Sequence, residues 1–355
     1  MAVINVNHEQ ARAFCTEAFM ALNVPKTDAE LVADNLVEGE LRGLGSHGLS
    51  RLIFYVRKLE AGGFKANPDI RVMQERTSTL MIDADNSLGA VAGAIAMNRC
   101  IEKAKSTGIA CATVKNGNHY GIAAHYSMMA LPHDMIGISM CNSVAKMSVH
   151  GGIDPILGTN PISIAVPADK RYPLVYDAAT SLVALGKVMV ADIEGKPIPE
   201  GWAIDRNGHP TTNAREALNG AILPFGSYKG SGLAVMVDVF TAVLSGAQFG
   251  MHTGELRANP EVGQEVGFFF GAIDIAAFQD VHGFKQRMDQ MIAELKASRR
   301  SEGCDEILMP GEPEFLKREK NLKEGFRIGP GVLRDLISIK ERYGLKIDPA
   351  AWQVT

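Results

Sequence analysis

A glycine-rich segment at residues 43–48 directly follows a predicted helix, and this context limits the folds open to the chain. The segment Gly43-Leu-Gly45-Ser-His-Gly48 matches the G-x-G-x-x-G pattern of dinucleotide-binding loops. Such a loop must follow a strand and open a helix within a βαβ unit. Residues 30–42 instead have a helical pattern, so we exclude a Rossmann fold built on these glycines.

The first sixty residues of the chain are predicted to be helical. Asn7 can cap a first helix, and residues 27–30 form a capping-box pattern that opens a second helix to about Arg42. A third helix is predicted near residues 50–60, closed by two glycines.

After Pro68, short β-rich runs alternate with helical segments. The predicted strands are residues 79–82, 109–114, 136–141, 162–166, 174–176 and 266–275. The predicted helices are residues 88–106, 122–130, 232–244, 281–296, 314–324 and 332–343. We therefore expect an α/β (α+β) protein with a helical domain made of residues 1–72 and 313–355. Residues 73–312 are expected to form the α/β domain.

The composition of the chain limits the kinds of partner that it is expected to bind. The 355 residues carry a formal net charge of −4, so nothing favours binding to nucleic acid. The most apolar run, residues 232–244, is short and contains Asp238, so no segment is predicted to span a membrane. The five cysteines show no C-x-x-C spacing, which argues against disulfides and zinc. With no signal-peptide pattern in the first ten residues, we expect a cytoplasmic protein.

Two histidines lie in short glycine-bounded motifs, Ser46-His47-Gly48 and Asn118-His119-Tyr-Gly121. Histidine is the side chain best suited to proton transfer near neutral pH. Arg51 follows His47 by four residues, so the two side chains share a face if a helix begins at Ser46 or Leu49. An arginine fork suits a substrate carboxylate, although a helix cap with a surface arginine explains the same spacing. His125 follows His119 at a spacing unsuited to a metal pair, and no metal site is expected.

Three other segments are candidates for ligand contacts. Residues 158–161 form a turn before a strand, and Asp177 follows a short apolar run. An aspartate at a strand end can orient a catalytic histidine, or it can simply cap a helix. Residues 223–232 combine glycines with Lys229 ahead of a long helix, which is typical of a phosphate site.

Taken in series, these motifs resemble the malate/L-lactate dehydrogenase family of non-Rossmann oxidoreductases, which includes enzymes acting on L-sulfolactate, ureidoglycolate and diketogulonate. The matching stretches occur in family order over nearly the whole chain: Arg42-Gly-x-x-Ser-His-Gly48 with Arg51, Asn118-His119-x-Gly121, Gly158-Thr-Asn-Pro161, Asp177-x-Ala-Thr-Ser181, Leu223-Pro-Phe-Gly-x-x-Lys-Gly230 and Pro310-Gly311. The resemblance implies a central layered α/β domain of the L-sulfolactate dehydrogenase type, and a homodimer with the nicotinamide site near the subunit interface.

The same resemblance implies roles for individual residues. His47 would donate or accept a proton with Ser46 and Asp177 in support, and His119 is the alternative acid/base. Arg51, with Thr159, would bind the substrate. The residues implied to line the cofactor, which is NAD with NADP possible, are Ser143, Tyr176, Asp177, Ala178, Lys229, Gly311 and Glu312.

We accordingly predict hydride transfer between a nicotinamide cofactor and a small 2-hydroxy or 2-oxo acid, such as malate, lactate or ureidoglycolate. Two enzymatic alternatives stay open. One is a reductase of a cyclic imino acid related to piperideine-2-carboxylate, in which the same arginine and histidine would serve a C=N bond. The other is a metal-dependent hydrolase that uses His119 and His125. A non-catalytic protein that binds a small acid is the remaining possibility.

Overall fold

The computed structural model describes residues 4–352 and has helical ends around a sheet-rich centre. The strands are β1 (Ile4–Val6), β2 (Arg71–Glu75), β3 (Thr79–Asp83), β4 (Ile109–Gly117), β5 (Met135–Cys141), β6 (Met147–Ser148), β7 (Pro155–Leu157), β8 (Ile162–Val166), β9 (Leu174–Ala178), β10 (Ala203–Ile204), β11 (Pro210–Thr211), β12 (Ala221–Ile222), β13 (Val266–Asp274) and β14 (Phe326–Ile328). The helices are α1 (His8–Ala21), α2 (Lys26–Leu41), α3 (Leu52–Ala61), α4 (Gly89–Thr107), α5 (Ala123–Ser127), α6 (Leu185–Glu194), α7 (Ala214–Asn219), α8 (Tyr228–Asp238), α9 (Val281–Lys296), α10 (Glu312–Glu324) and α11 (Pro330–Tyr343).

The first two helices begin by different means. Asn7 caps α1 as predicted, because its side chain accepts hydrogen bonds from the Glu9 and Gln10 amides. The capping box predicted for α2 is wrong. Pro25 occupies the cap position with extended backbone, so the helix begins one residue before Thr27, whose hydroxyl then lies inside the first turn.

The two ends of the chain share one hydrophobic core. Strand β1 pairs antiparallel with β14, and Phe14 of α1 meets Trp352 edge to face with ring centroids 5.7 Å apart. Leu336 and Ile339 of α11 are buried in the same cluster as the apolar residues of α1–α3. The terminal helices therefore pack on the first three, as expected, while the domain limits at residues 72 and 313 stay a prediction.

The central sheet has seven strands in the order β2-β3-β4-β13-β5-β8-β9. Strands β3 and β4 are parallel, joined through α4, and the other neighbours are antiparallel. This mixed order, together with a glycine-rich segment that follows a helix, confirms a non-Rossmann α/β fold. Strand β9 lies at one edge, and its carboxyl end leads into the candidate site.

A second, five-stranded sheet in the order β11-β10-β12-β6-β7 packs with α6 and α7 and was missed by the sequence analysis. Its strands have two or three residues each, too short to show a period. The helix predicted at residues 232–244 begins earlier, at Tyr228, and continues as a π-helical turn over Val239–Val243. Between residues 4 and 352, no helix has the length and apolar character needed to cross a bilayer.

Candidate active site

The segment that carries Ser46 and His47 is a pair of tight turns rather than the start of an α-helix. Two 3₁₀ turns, Gly45–His47 and Leu49–Arg51, connect α2 to α3. Buried Glu40 supports them from below, since one of its carboxylate oxygens accepts the Leu49 amide at 2.8 Å. A β-carbon at Gly48 would overlap that same oxygen, so glycine is required for this close approach.

The two histidines predicted from separate motifs face each other. The His47 and His119 rings stack with centroids 5.5 Å apart and planes 20° apart. His119 follows β4 in a segment fixed by Asn118, whose amide group donates to the Ser87 carbonyl and accepts from the Gln264 amide. Residues far apart in the sequence thus form one pair of imidazoles.

His119 is held on two sides by residues that the sequence analysis missed. The Tyr55 hydroxyl lies 2.6 Å from His119 Nδ1, and the His119 amide donates to Gln264 Oε1 at 2.9 Å. Within residues 4–352, His119 Nε2 has no hydrogen-bond partner. His47 Nδ1 instead lies 3.0 Å from Ser46 Oγ. Tyr55 follows Arg51 by four residues on α3, a spacing that could have indicated it.

Burial keeps both imidazoles neutral at pH 7. Burial lowers the pKa of His47 to about 4, and the charge of Arg51 adds to the effect. The pKa of His119 lies well below its ordinary value of 6.5 for the same two reasons. Burial also lowers the pKa of Arg51 to about 10, and the nearby guanidinium of Arg257 contributes. Arg51 Nε donates to the Ser46 carbonyl at 2.6 Å, so Arg51 lies beside the His47 turn.

Asp177 does not contact the histidine that it was expected to support. Its Oδ2 accepts the Ala124 amide at 2.9 Å, at the first turn of α5, where free N–H groups attract a carboxylate. Desolvation by the surrounding protein raises the pKa of Asp177 to about 6. The neighbour of His47 Nδ1 is therefore Ser46 rather than Asp177.

Ser143, which was predicted to line the cofactor, and Thr159, which was predicted to bind the substrate, meet beyond the end of β9. The Thr159 amide donates to Ser143 Oγ at 3.0 Å, and the Thr180 amide donates to the Thr159 carbonyl at 2.8 Å. The Phe225 amide in turn donates to the Thr180 carbonyl at 3.1 Å, which brings in the loop before α8. Ser143, Thr159 and this loop thus form one connected surface.

Lys229 lies in the first turn of α8, not in the preceding loop as predicted, because Ser227 ends that loop at a positive φ of 62°. Lys229 is exposed and has no ion-pair partner in the described part of the chain. A free ammonium beside the amides of a helix start suits a phosphate group. These residues therefore fit the dinucleotide part of a nicotinamide cofactor.

The candidate cofactor residues join the histidine pair through α6. A β-carbon at Gly186, in the first turn of α6, would lie 3.9 Å from Ser46 Cβ. Helix α6 begins shortly after Thr180 in the chain, so it connects the surface at Thr159 to the turn that carries Ser46. Tyr176 and Ala178 lie on β9 itself, and the Tyr176 side chain is exposed.

Gly311 and Glu312 lie at the other end of β9. The Val175 amide donates to the Pro310 carbonyl at 3.0 Å, and Gly311, at φ 84°, packs directly on Val175. The Glu312 carboxylate is occupied by the Met309 amide and the Lys296 ammonium. Only the backbone of this turn is therefore free to contact a ligand.

The hydrolase alternative requires His119 and His125 to share a metal ion with at least one further ligand. In residues 4–352, no three His, Cys, Asp or Glu side chains are grouped so that they could hold a metal ion. The His125 ring instead packs edge-on against Tyr126, with centroids 5.2 Å apart.

Comparisons with known proteins agree with this arrangement. A family model described as malate/L-lactate dehydrogenase matches residues 6–337. The malate dehydrogenase of Pyrococcus horikoshii is 43% identical over 351 residues, which cover 97% of this chain and 96% of the relative. The solved sulfolactate dehydrogenase of Methanocaldococcus jannaschii superposes with a TM-score of 0.91 at 38% identity, covering 98% of both chains.

Two further relatives carry a cofactor in their names. The ureidoglycolate dehydrogenase (NAD(+)) of Escherichia coli K12 is 30% identical over 335 residues, covering 94% of this chain and 95% of the relative. The (2R)-3-sulfolactate dehydrogenase (NADP(+)) of Chromohalobacter salexigens is 34% identical over 316 residues, covering 89% and 92%. Together with the fold and the paired histidines, these matches show that the chain belongs to the malate/L-lactate dehydrogenase family and is a 2-hydroxy acid dehydrogenase.

Proposed function

We propose that the chain interconverts a small 2-hydroxy acid and its 2-oxo acid, with NAD as the preferred cofactor. The bound nicotinamide supplies the acceptor or donor of the hydride. The protein must then bind the acid, align its C2 atom with the nicotinamide, and accept or return the proton of the hydroxyl group. The observation that carries the proposal is the stacked pair of neutral imidazoles beside an arginine with no acidic partner in residues 4–352.

Arg51 is proposed to bind the substrate carboxylate. Its Nε is engaged by the Ser46 carbonyl, which fixes the plane of the guanidinium and leaves the two terminal nitrogens for a ligand. Two parallel N–H donors match the two oxygens of a carboxylate. The proximity of Arg51 to both histidines supports a pose in which the hydroxyl of C2 faces an imidazole.

We assign the acid/base role to His119 in preference to His47. The Tyr55 hydroxyl contacts His119 Nδ1 at 2.6 Å and lies 3.4 Å from the His119 carbonyl. The neutral base carries its proton on Nδ1, from which the Tyr55 hydroxyl can accept while it donates to the His119 carbonyl. When Nε2 takes the substrate proton, the resulting imidazolium keeps its Nδ1 proton and the same hydrogen bond to Tyr55. Such support in both states suits a group that takes and returns one proton.

His47 has a different proposed role. Its Nδ1 lies against Ser46 Oγ, and its ring forms one wall of the site opposite His119. A neutral ring at this position can hydrogen-bond the substrate without adding a positive charge next to Arg51. Asp177 and Ser46 then act on the shape of the site rather than on proton transfer.

A homodimer is also proposed, as the family resemblance implies. The exposed face of α8 and its π-helical extension is apolar, with Met236 46% exposed and Val243 and Leu244 each 59% exposed. A second copy of the chain is the occupant that would bury this face.

The activity is tested by a matrix of candidate acids against both reduced cofactors. Oxaloacetate, pyruvate and a cyclic imino acid would each be offered with NADH and with NADPH, and oxidation of the cofactor followed by its absorbance. We expect turnover of at least one 2-oxo acid, faster with NADH. Turnover of the cyclic imine alone would replace the proposal with the reductase alternative, and turnover of none would contradict it.

A further inference from the structure

The turn before β8 contains a buried asparagine to which no role has been assigned. Asn160 is fully buried and lies in residues 158–161, one of the segments that the sequence marks as a candidate for ligand contacts. Its backbone has a φ of 30°, and such a left-handed conformation costs free energy in a residue other than glycine. A side chain with no exposed surface cannot contact a bound ligand, so any role of Asn160 must act through its neighbours.

The side-chain amide group of Asn160 connects two separate segments of the chain. Its Oδ1 accepts a hydrogen bond from the Ser143 amide at 3.1 Å, and its Nδ2 donates to the Ala234 carbonyl of α8 at 2.9 Å. A β-carbon at Gly158 would lie 2.3 Å from both Asn160 Oδ1 and the Ser143 carbonyl oxygen, so these groups are closely packed. Asn160 therefore fixes the backbone of Ser143 relative to α8.

Buried Asp238 sets the orientation of this amide group. Asp238 follows Ala234 by four residues, so the two lie on the same face of α8. Burial raises the pKa of Asp238, and hydrogen bonds from the side chains of Asn160 and Asn142 act against this shift. Because a carboxylate accepts hydrogen bonds and cannot donate them, it attracts the Asn160 nitrogen toward α8 and leaves the Asn160 oxygen for Ser143.

Ser143 is the residue of this network that a ligand can reach. It is half-buried, and its hydroxyl oxygen accepts from the Thr159 amide at 3.0 Å and lies 3.3 Å from the Thr159 hydroxyl. Asn160 binds the Ser143 amide and directly follows Thr159 in the chain. One buried side chain thus fixes two half-buried residues at the surface beyond the end of β9.

We propose that Asn160 is a positioning residue of the cofactor site, whose buried amide group holds Ser143 where the nicotinamide cofactor binds. The inference rests on the proposed function and deepens it. Asn160 contributes by preorganisation, because without its hydrogen bonds Ser143 and Thr159 would have to be ordered when the cofactor binds.

The contribution of the side chain is isolated by Asn160→Gly. Glycine adopts a φ of 30° without strain, so this variant keeps the backbone conformation accessible and removes only the amide group. NADH would be titrated into the full-length protein, with binding followed by the fluorescence of bound NADH. We expect the dissociation constant for NADH to rise about tenfold, the effect of losing one buried hydrogen bond. Asn160→Asp keeps Oδ1 but cannot donate, and it should weaken NADH binding in the same direction.

Two comparisons separate positioning from a general loss of stability. Asn23→Gly makes the same exchange at an exposed asparagine with a φ of 64°, and it should leave NADH binding unchanged. In a Ser143→Ala background, Asn160→Gly should change the dissociation constant by less than about threefold, because the hydroxyl through which Asn160 acts is already absent.

Equal dissociation constants for wild type and Asn160→Gly would overturn the inference, and so would the full tenfold loss in the Ser143→Ala background. Either result would leave the proposed function intact. Failure of the wild-type protein to bind NADH or NADPH would instead contradict the proposed function and the inference together.

Discussion

At the scale of single residues, the chemistry depends on imidazoles that stay neutral. The pKa of His119 lies well below 6.5, so the base is already deprotonated in neutral and mildly acidic solution. We expect kcat/KM for oxidation of the hydroxy acid to show no acid limb near pH 6.5 and to fall only at clearly lower pH. A pH profile of kcat/KM measures this directly. A limb with its midpoint near pH 6.5 would mean that the base is a solvated histidine and would refute the assignment.

The sequence predicts the reactive residues better than their supports. His47, Arg51 and His119 stand out because short glycine-bounded motifs mark them locally. The spacing from Arg51 places Tyr55 on the Arg51 face of α3, but it does not reveal that Tyr55 contacts His119. Tyr55 and Gln264 are 64 and 145 positions away from His119 in the sequence, and no local pattern pairs residues over such separations. Asp177 was singled out by its motif and was expected to support His47, but its carboxylate contacts the first turn of α5 instead. That contact depends on the three-dimensional fold and not on neighbours in the sequence.

At the scale of elements, the turn between α2 and α3 rests on a buried carboxyl group. Burial raises the pKa of Glu40 to about 7, well above its ordinary 4.5. The folded state therefore holds a proton that the unfolded chain releases, and the stability present below pH 4.5 is lost as pH rises through 7. Glu40→Gln keeps an oxygen for the Leu49 amide but cannot ionise.

We expect Glu40→Gln to gain stability relative to wild type between pH 5 and pH 8, by at most about 3 kcal/mol. Comparing both proteins at each pH cancels the opposite contribution of the two histidines. The measurement is urea unfolding at the two pH values, with exposed Glu302→Gln as the control. An equal difference at both pH values would show that Glu40 does not titrate in this range.

The bounds of helices and strands with a clear hydrophobic period were predicted closely, whereas the short strands were not predicted. Helix α9 and strand β8 begin and end where the pattern places them. Strand β2 was missed because it is exposed throughout and shows no apolar alternation. The small sheet around β10 depends on strands from distant segments, which no local window reveals.

At the scale of the whole molecule, the apolar face of α8 and its extension predicts a dimer. Val243→Glu would place a charge within the proposed interface, where it cannot be hydrated. We expect the wild-type protein to elute as a dimer in size-exclusion chromatography with light scattering, and Val243→Glu to shift toward monomer. Met73→Glu, on the exposed edge strand β2, is the control. A monomeric wild type, or a dimer unaffected by Val243→Glu, would contradict the assignment of this face.

The overall architecture was only partly readable from the sequence. The helical ends follow from capping signals and helical patterns near both ends of the chain, and the exclusion of a Rossmann fold follows from the context of residues 43–48. The order of the seven strands does not, because β13 inserts between β4 and β5 from far along the chain. The pairing of β13 with β4 and β5 joins segments that are far apart in the sequence. Hydrophobic periodicity describes only residues that are close together in the sequence, so it cannot predict this pairing.

In the proposed mechanism, His119, supported by Tyr55, moves the substrate proton while His47 only shapes the site. The most direct measurement compares kcat and the dissociation constant for NADH in His119→Asn and His47→Asn. We expect His119→Asn to lower kcat about 100-fold or more, with NADH binding within about twofold of wild type, and His47→Asn to lower kcat clearly less. A His119→Asn enzyme with near-normal kcat, or a larger loss in His47→Asn, would contradict it.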